Sequence, residues 1–184
     1  VPVLKLANHI ELHAEKVGLL LCPKAASNAI LRAVSRTDTH YTRNLERIRR
    51  GYYRIGIVRN TWDRLVAVWA SKCNPKWPAK LQHLRNSSFR TGMEFARFLE
   101  VVARNTGANH HYYPQHKIVG VCDEIWTTDE LDDKWPARFP DLYLTHDNVN
   151  VLRERDWRPY YTPEMMEQVG ETYADEIKHF GFEF

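Results

Sequence analysis

Lys24 and Arg59 are the two cations whose settings suggest chemistry. Lys24 stands in Cys22-Pro23-Lys24-Ala25-Ala26-Ser27-Asn28, directly after the run Val17-Gly18-Leu19-Leu20-Leu21. An apolar run of this length is expected of a strand buried on both faces. Pro23 ends it, the small residues let the backbone turn tightly, and Ser27 or Asn28 can satisfy free N–H groups at a helix start. Ile30, Leu31 and Val34 then recur at helical spacing. A strand feeding a helix N-terminus gathers unpaired N–H donors and the positive end of a dipole, and such a spot binds oxyanions. Lys24 adds a full charge to it. This is not the nucleotide-triphosphate loop G-x-x-x-x-G-K-[ST], because the turn holds no glycine and the lysine precedes the small residues.

Arg59 occupies the matching position on a second element. Tyr53-Arg54-Ile55-Gly56-Ile57-Val58-Arg59 reads as a strand, and Asn60 or Thr61 is a fitting N-cap for the helix that follows. Leu65, Val68 and Trp69 give that helix an apolar face. If the two strands are parallel neighbours, Lys24 and Arg59 share the carboxyl edge of a sheet, where ligands of open parallel sheets bind. Two cations from adjacent strand–helix turns suit a ligand with two separated phosphates.

The chain that must position them has 184 residues, enough for a proper core in one domain of ordinary size. Its 43% hydrophobic and 27% charged residues are those of a globular protein rather than a disordered one. A net charge of +3, with 26 Lys+Arg nearly balanced by 23 Asp+Glu, gives no warrant for nucleic acid. Cys22, Cys73 and Cys122 form no C-x-x-C pair and no zinc spacing, so no metal site is expected, and an odd count leaves at least one thiol unpaired. One disulfide remains compatible with the count, but scattered cysteines point to a reducing, cytoplasmic setting. A chain that starts on Val1 leaves room for an upstream anchor and a Golgi-lumen-type setting. No apolar run approaches the length of a membrane span, and the sequon Asn86-Ser87-Ser88 carries little weight.

The other elements follow in order. Val3, Leu4 and Leu6 suggest a short extra strand. Residues 35–50, polar and including His40, read as a connection with one amphipathic turn (Leu45, Ile48). The stretch 73–90 is a basic loop, and 91–104 an amphipathic helix with Met93, Phe95, Phe98, Leu99 and Val102 as its stripe. Residues 119–126 are expected to form a third strand, Thr127-Thr128-Asp129-Glu130 to open a short helix ended by Pro140, and 142–144 to form a last short strand. Thr162 and Pro163 start a final helix that Gly181 closes.

Several of these stretches resemble one family in matching order. Pro23-Lys24-Ala25-Ala26-Ser27 resembles the 5′-phosphosulfate loop of sulfotransferases that use 3′-phosphoadenosine-5′-phosphosulfate (PAPS). Ile57-Val58-Arg59-Asn60-Thr61-Trp62-Asp63-Arg64-Leu65-Val66-Ala67-Val68-Trp69 looks like the 3′-phosphate stretch of the second, carbohydrate-type sulfotransferase family and its bacterial relatives. Thr61 stands where that pattern has proline, and Ala67 where it has a serine that holds the 3′-phosphate; the change implies either weaker cofactor binding or a partial replacement by Ser71, one turn on. His110-His111-Tyr112-Tyr113-Pro114-Gln115 and 173–182 resemble the family's His-aromatic-x-Pro-Gln segment and closing helix.

The resemblance implies a single domain over 1–184 with a three-layer α/β, P-loop-like fold: a short, mainly parallel sheet flanked by helices. It implies sulfuryl transfer from PAPS, without a metal, to a hydroxyl or amine of an acceptor, a carbohydrate by the same resemblance. Lys24 would bond the bridging oxygen of the leaving phosphate; Ala25, Ala26, Ser27 and Asn28 would cradle the 5′-phosphate; Arg59 would hold the 3′-phosphate, with Arg64 structural. For the base that takes the acceptor's proton, His40 comes first by its place between the phosphate segments, with Glu46, His110 and His111 as alternatives. The aromatic residues of 72–90 and 105–115 are candidates for stacking on a sugar or for the core. Two other readings stay open. A kinase-like enzyme needs the missing glycines and a metal-binding acid. A non-catalytic module for anionic glycans or nucleotides needs no 3′-phosphate site, which Ala67 fits.

Overall fold

The computed structural model describes residues 8–35, 37, 39–42, 51–73, 89–145 and 156–184. They fold as two compact units, each drawn from two stretches of chain: Val1–Arg59 with Tyr113–Val149, and Asn60–Tyr112 with Asn150–Phe184.

The first unit is mixed α/β. Its strands are β1 (Asn8–Leu12), β2 (Val17–Leu21), β3 (Thr39–Thr42), β4 (Tyr53–Val58) and β5 (Glu124–Thr127), in sheet order β3-β1-β2-β4-β5. β2, β4 and β5 are parallel neighbours; β1 is antiparallel to both β2 and β3. Only β1 therefore runs against the other four, and the sheet is mainly parallel, as expected. β2 lies at its centre with all five residues buried. Leu19, Leu20 and Leu21 are fully buried, each stabilising the fold by roughly 1.5–3 kcal/mol. The unit's helices are α1 (Ser27–Val34), α4 (His116–Val119) and α5 (Leu131–Arg138), the last packed on β5.

The sequence reading missed β1 and β3. In β1, His9 and Glu11 alternate with Ile10 and Leu12, and all four are buried. The alternation is the period of a half-buried strand, but it spans only four residues, and both faces are in fact covered. The third parallel strand is shorter than expected, because 119–123 form the end of α4 and a turn. Val119 packs on Gly56, where an added Cβ would stand 2.7 Å from the valine's own. Asp123 then docks the start of β5: its carboxylate accepts from the Arg54 N–H at 2.8 Å, and its own N–H donates to the Arg54 carbonyl at 2.9 Å. The Thr127–Glu130 capping box is present and opens a 3-10 turn (Thr128–Glu130) that runs into α5. No strand forms at 142–144; the Trp135 indole donates instead to the Leu142 carbonyl at 2.6 Å. The expected strand at 3–6 and the turn around Leu45 and Ile48 lie outside the described residues.

The second unit is helical in its described residues: α2 (Thr61–Lys72), α3 (Phe95–Arg104), α6 (Pro163–Thr172) and α7 (Ala174–Phe180). α2 was expected to be amphipathic, yet it is buried on nearly every side, Asp63 and Arg64 included. Asn60 is its N-cap, accepting from the Trp62 and Asp63 N–H groups. α3 starts at Phe95 rather than 91, and the Met93 carbonyl ahead of it accepts from the Trp69 indole at 2.7 Å. The expected final helix is two helices, broken at Tyr173, whose hydroxyl donates to the Tyr112 carbonyl at 2.6 Å. Thr162 caps α6 and Gly181 ends α7 with φ 66, both as expected.

Candidate functional site

β2 and β4 lie side by side with Leu21 opposite Ile57, so their carboxyl ends share one edge. The Cys22 N–H donates to the Ile57 carbonyl at 3.2 Å and carries the pairing one residue further. The chain then turns: the Ala25 N–H and the Ser27 hydroxyl both donate to the Cys22 carbonyl, at 3.0 and 2.9 Å. Lys24 and Ala26 adopt the left-handed conformation, with φ 70 and 55. For residues other than glycine this costs about 1–3 kcal/mol each. Backbone of this kind turns successive N–H groups into one concavity that suits an anion.

Helix α1 springs from Ala26, and no side chain caps it. This corrects the expectation for Ser27, which lies inside the helix with its proton directed back to Cys22. Asn28, one residue on, is exposed. The donors at the start of α1 therefore lack a side-chain partner, while Lys24 stands half-buried just before them. An uncapped helix start beside a turn of small residues can receive an oxyanion.

Arg59 completes the edge. Its Nη1 donates to the Lys24 carbonyl at 3.1 Å, so the two cations foreseen in the sequence share one corner. Its backbone is gripped by Gln115: the Arg59 N–H donates to Oε1 at 2.9 Å, and Nε2 donates to the Arg59 carbonyl at 2.8 Å. Gln115 is fully buried. The sequence reading gave this glutamine no role of its own. The His-aromatic-x-Pro-Gln segment was the signal that could have found it.

His40 is not brought to this corner. The register puts it on the row of Glu11 and Gly18, three residues before the end of β2. It is also two strands away from β2's end, a backbone separation of about 10 Å in each direction. Glu46 lies outside the described residues. His110 and His111 belong to the second unit, with their rings 4.0 Å apart.

Within the second unit, Arg64 is fully buried beside the Tyr173 hydroxyl. Burial pushes the Tyr173 hydroxyl's pKa far up; the charge and hydrogen bond of Arg64 oppose this, while Glu176 adds to it. Thr61, in the place of the family's proline, donates to the Glu176 carboxylate at 2.7 Å. Ala67 is buried, and the Ser71 hydroxyl donates to the Val68 carbonyl of its own helix at 3.0 Å. All three cysteines are free. Burial holds the Cys122 thiol at about 12, against a smaller pull from Arg54, so it is protonated at neutral pH. Among the described residues no cluster of three His, Cys, Asp or Glu side chains forms a metal site, and no helix is long and apolar enough to cross a membrane.

The model of the Sulfotransferase family matches residues 21–183, from the last residue of β2 through α7. The chain belongs to the sulfotransferase family. The mixed α/β unit, with its mainly parallel sheet flanked by helices, is consistent with the sulfotransferase fold. The match starts on the strand that feeds the Lys24 turn, so both the turn and Arg59 lie within the sulfotransferase match. Neither the comparison with curated proteins nor that with solved structures gives a match.

Proposed function

We propose that this sulfotransferase moves a sulfuryl group from PAPS to a hydroxyl or amine of an acceptor, a carbohydrate. The observation that carries the reading is the Arg59–Lys24 contact at the head of an uncapped helix, which joins two cations and a row of N–H donors at one sheet edge. Those residues fit a nucleotide with phosphates at two positions. The backbone N–H groups of Ala26, Ser27 and Asn28 at the start of α1, in the turn that Ala25 closes, hold the 5′-phosphate, and Arg59 holds the 3′-phosphate through its planar fork. When bound, PAPS would supply an activated sulfuryl group, with 3′-phosphoadenosine 5′-phosphate as the leaving group.

Lys24 places a proton donor and a full charge where negative charge gathers on the departing phosphate. The positions are preset: the loop is already turned, and Arg59 is already tied to it, so little reorganisation opposes the transition state. The carbohydrate acceptor rests on the likeness of the Arg59 stretch to the carbohydrate-type branch. Because the family match runs through segments of both units, we read them as one sulfotransferase-like domain.

A second reading, a non-catalytic binding module, draws on Ala67 and on Ser71, whose hydroxyl donates to the Val68 carbonyl of its own helix. Release of 3′-phosphoadenosine 5′-phosphate from PAPS, measured against a panel of mono- and oligosaccharides, separates the two. Acceptor-dependent release is expected; none with any hydroxyl or amine acceptor favours the module. In the same assay His40→Ala is expected to keep turnover within about tenfold of the parent, since a general base must reach the acceptor directly or through one water. A loss of several orders of magnitude would return His40 to the site.

A further inference from the structure

We propose that Gln115 is a positioning residue for the donor site, one that sets the Arg59 side chain and, through it, the Lys24 turn. The inference rests on the PAPS reading above. β4 ends at Val58, so the Arg59 backbone lies just past the sheet ladder. Gln115 supplies there what a neighbouring strand supplies elsewhere, one acceptor and one donor to the same residue, at 2.9 and 2.8 Å. With both backbone groups of Arg59 held, its side chain leaves the chain from a fixed point. Nη1 then reaches the Lys24 carbonyl at 3.1 Å. That carbonyl belongs to a residue at φ 70, a conformation that persists only where its surroundings hold it. Two steps thus run from a fully buried amide to the strained turn, a paired contact on the Arg59 backbone and then the bond from its side chain to Lys24.

Gln115 acts on Arg59 through two backbone contacts, and its chemistry is narrow. A carboxylate of the same shape still accepts from the Arg59 N–H. It cannot donate to the Arg59 carbonyl, and it sets a negative charge beside the arginine that is meant to receive a phosphate. Methionine keeps the volume and removes both bonds.

The test compares the full chain with Gln115→Glu and Gln115→Met by calorimetric titration with 3′-phosphoadenosine 5′-phosphate and with adenosine 5′-monophosphate, alongside thermal melts and steady-state kinetics in PAPS. The expected result is a cooperative melt in at least one variant. In that variant the affinity ratio of the two nucleotides is expected to fall by about tenfold or more, with KM for PAPS rising more than kcat falls. A folded variant with the parent's ratio and KM overturns the inference while leaving the PAPS reading intact. Loss of a cooperative melt in both variants also overturns it, by making Gln115 a core residue only. If the parent itself prefers neither nucleotide, the PAPS reading fails first, whatever the variants do.

Discussion

Lys24→Ala is expected to lower sulfuryl transfer by about 10²–10³-fold or more, the usual effect of removing one charged donor from the place where charge develops. Its melting temperature is expected to stay within about 2 °C of the parent. The reason for that split is local. The turn is held by backbone groups, the Ala25 N–H to the Cys22 carbonyl and the Lys24 carbonyl to Arg59, and none of these bonds uses the lysine's amine. Alanine at 26 already tolerates the left-handed conformation that residue 24 requires. Single-turnover measurement under saturating PAPS checks the rate, and a thermal melt checks the fold. Near-parental turnover in this variant contradicts the assigned role.

Glu176→Ala is expected to produce the opposite split, a large loss of stability that lowers activity only by unfolding. Glu176 is fully buried in α7 and accepts from Thr61 at the first turn of α2. Arg64, also fully buried, acts on the same Tyr173 hydroxyl. Removing the carboxylate leaves the buried Thr61 hydroxyl without its acceptor and takes away the negative charge that opposes Arg64 at the Tyr173 hydroxyl. Disrupting a buried charge arrangement from one side costs about 3–5 kcal/mol, enough to lower the melting temperature by roughly 10 °C or more. Urea denaturation measures it directly: the midpoint is expected to fall with little change in slope. A shift no larger than that of a surface substitution contradicts the buried network.

The same residues show what can be read from a sequence and what cannot. The β2 strand, the turn after it and the Arg59 strand are legible because their signals are local: an unbroken apolar run, a proline, a cap. Even the pairing of Lys24 with Arg59 follows from adjacent parallel strands, and the observed register agrees. The failures have a common cause in tertiary context. The alternation of His9 and Glu11 with Ile10 and Leu12 is too short to stand out as a strand, and nothing local tells that the polar pair is buried as well. Ser27 reads as a cap by composition, but the left-handed Ala26 before it puts the serine inside the helix. His40 lies between the phosphate segments in sequence, whereas β3 joins the sheet beyond β1 and carries it two strands from β2. Gln115 stands in a legible motif, but what it contacts lies 56 residues away. Local chemistry points to the cations; only the fold identifies what holds them.

The most direct measurement of the central claim is calorimetric binding of 3′-phosphoadenosine 5′-phosphate, with adenosine 5′-monophosphate and ATP as controls and Arg59→Ala as the variant. Tight binding that depends on the 3′-phosphate, and that falls by about tenfold or more in Arg59→Ala, is the predicted result. Binding that ignores the 3′-phosphate, prefers ATP or survives the loss of Arg59 contradicts the assignment of this sheet edge to PAPS.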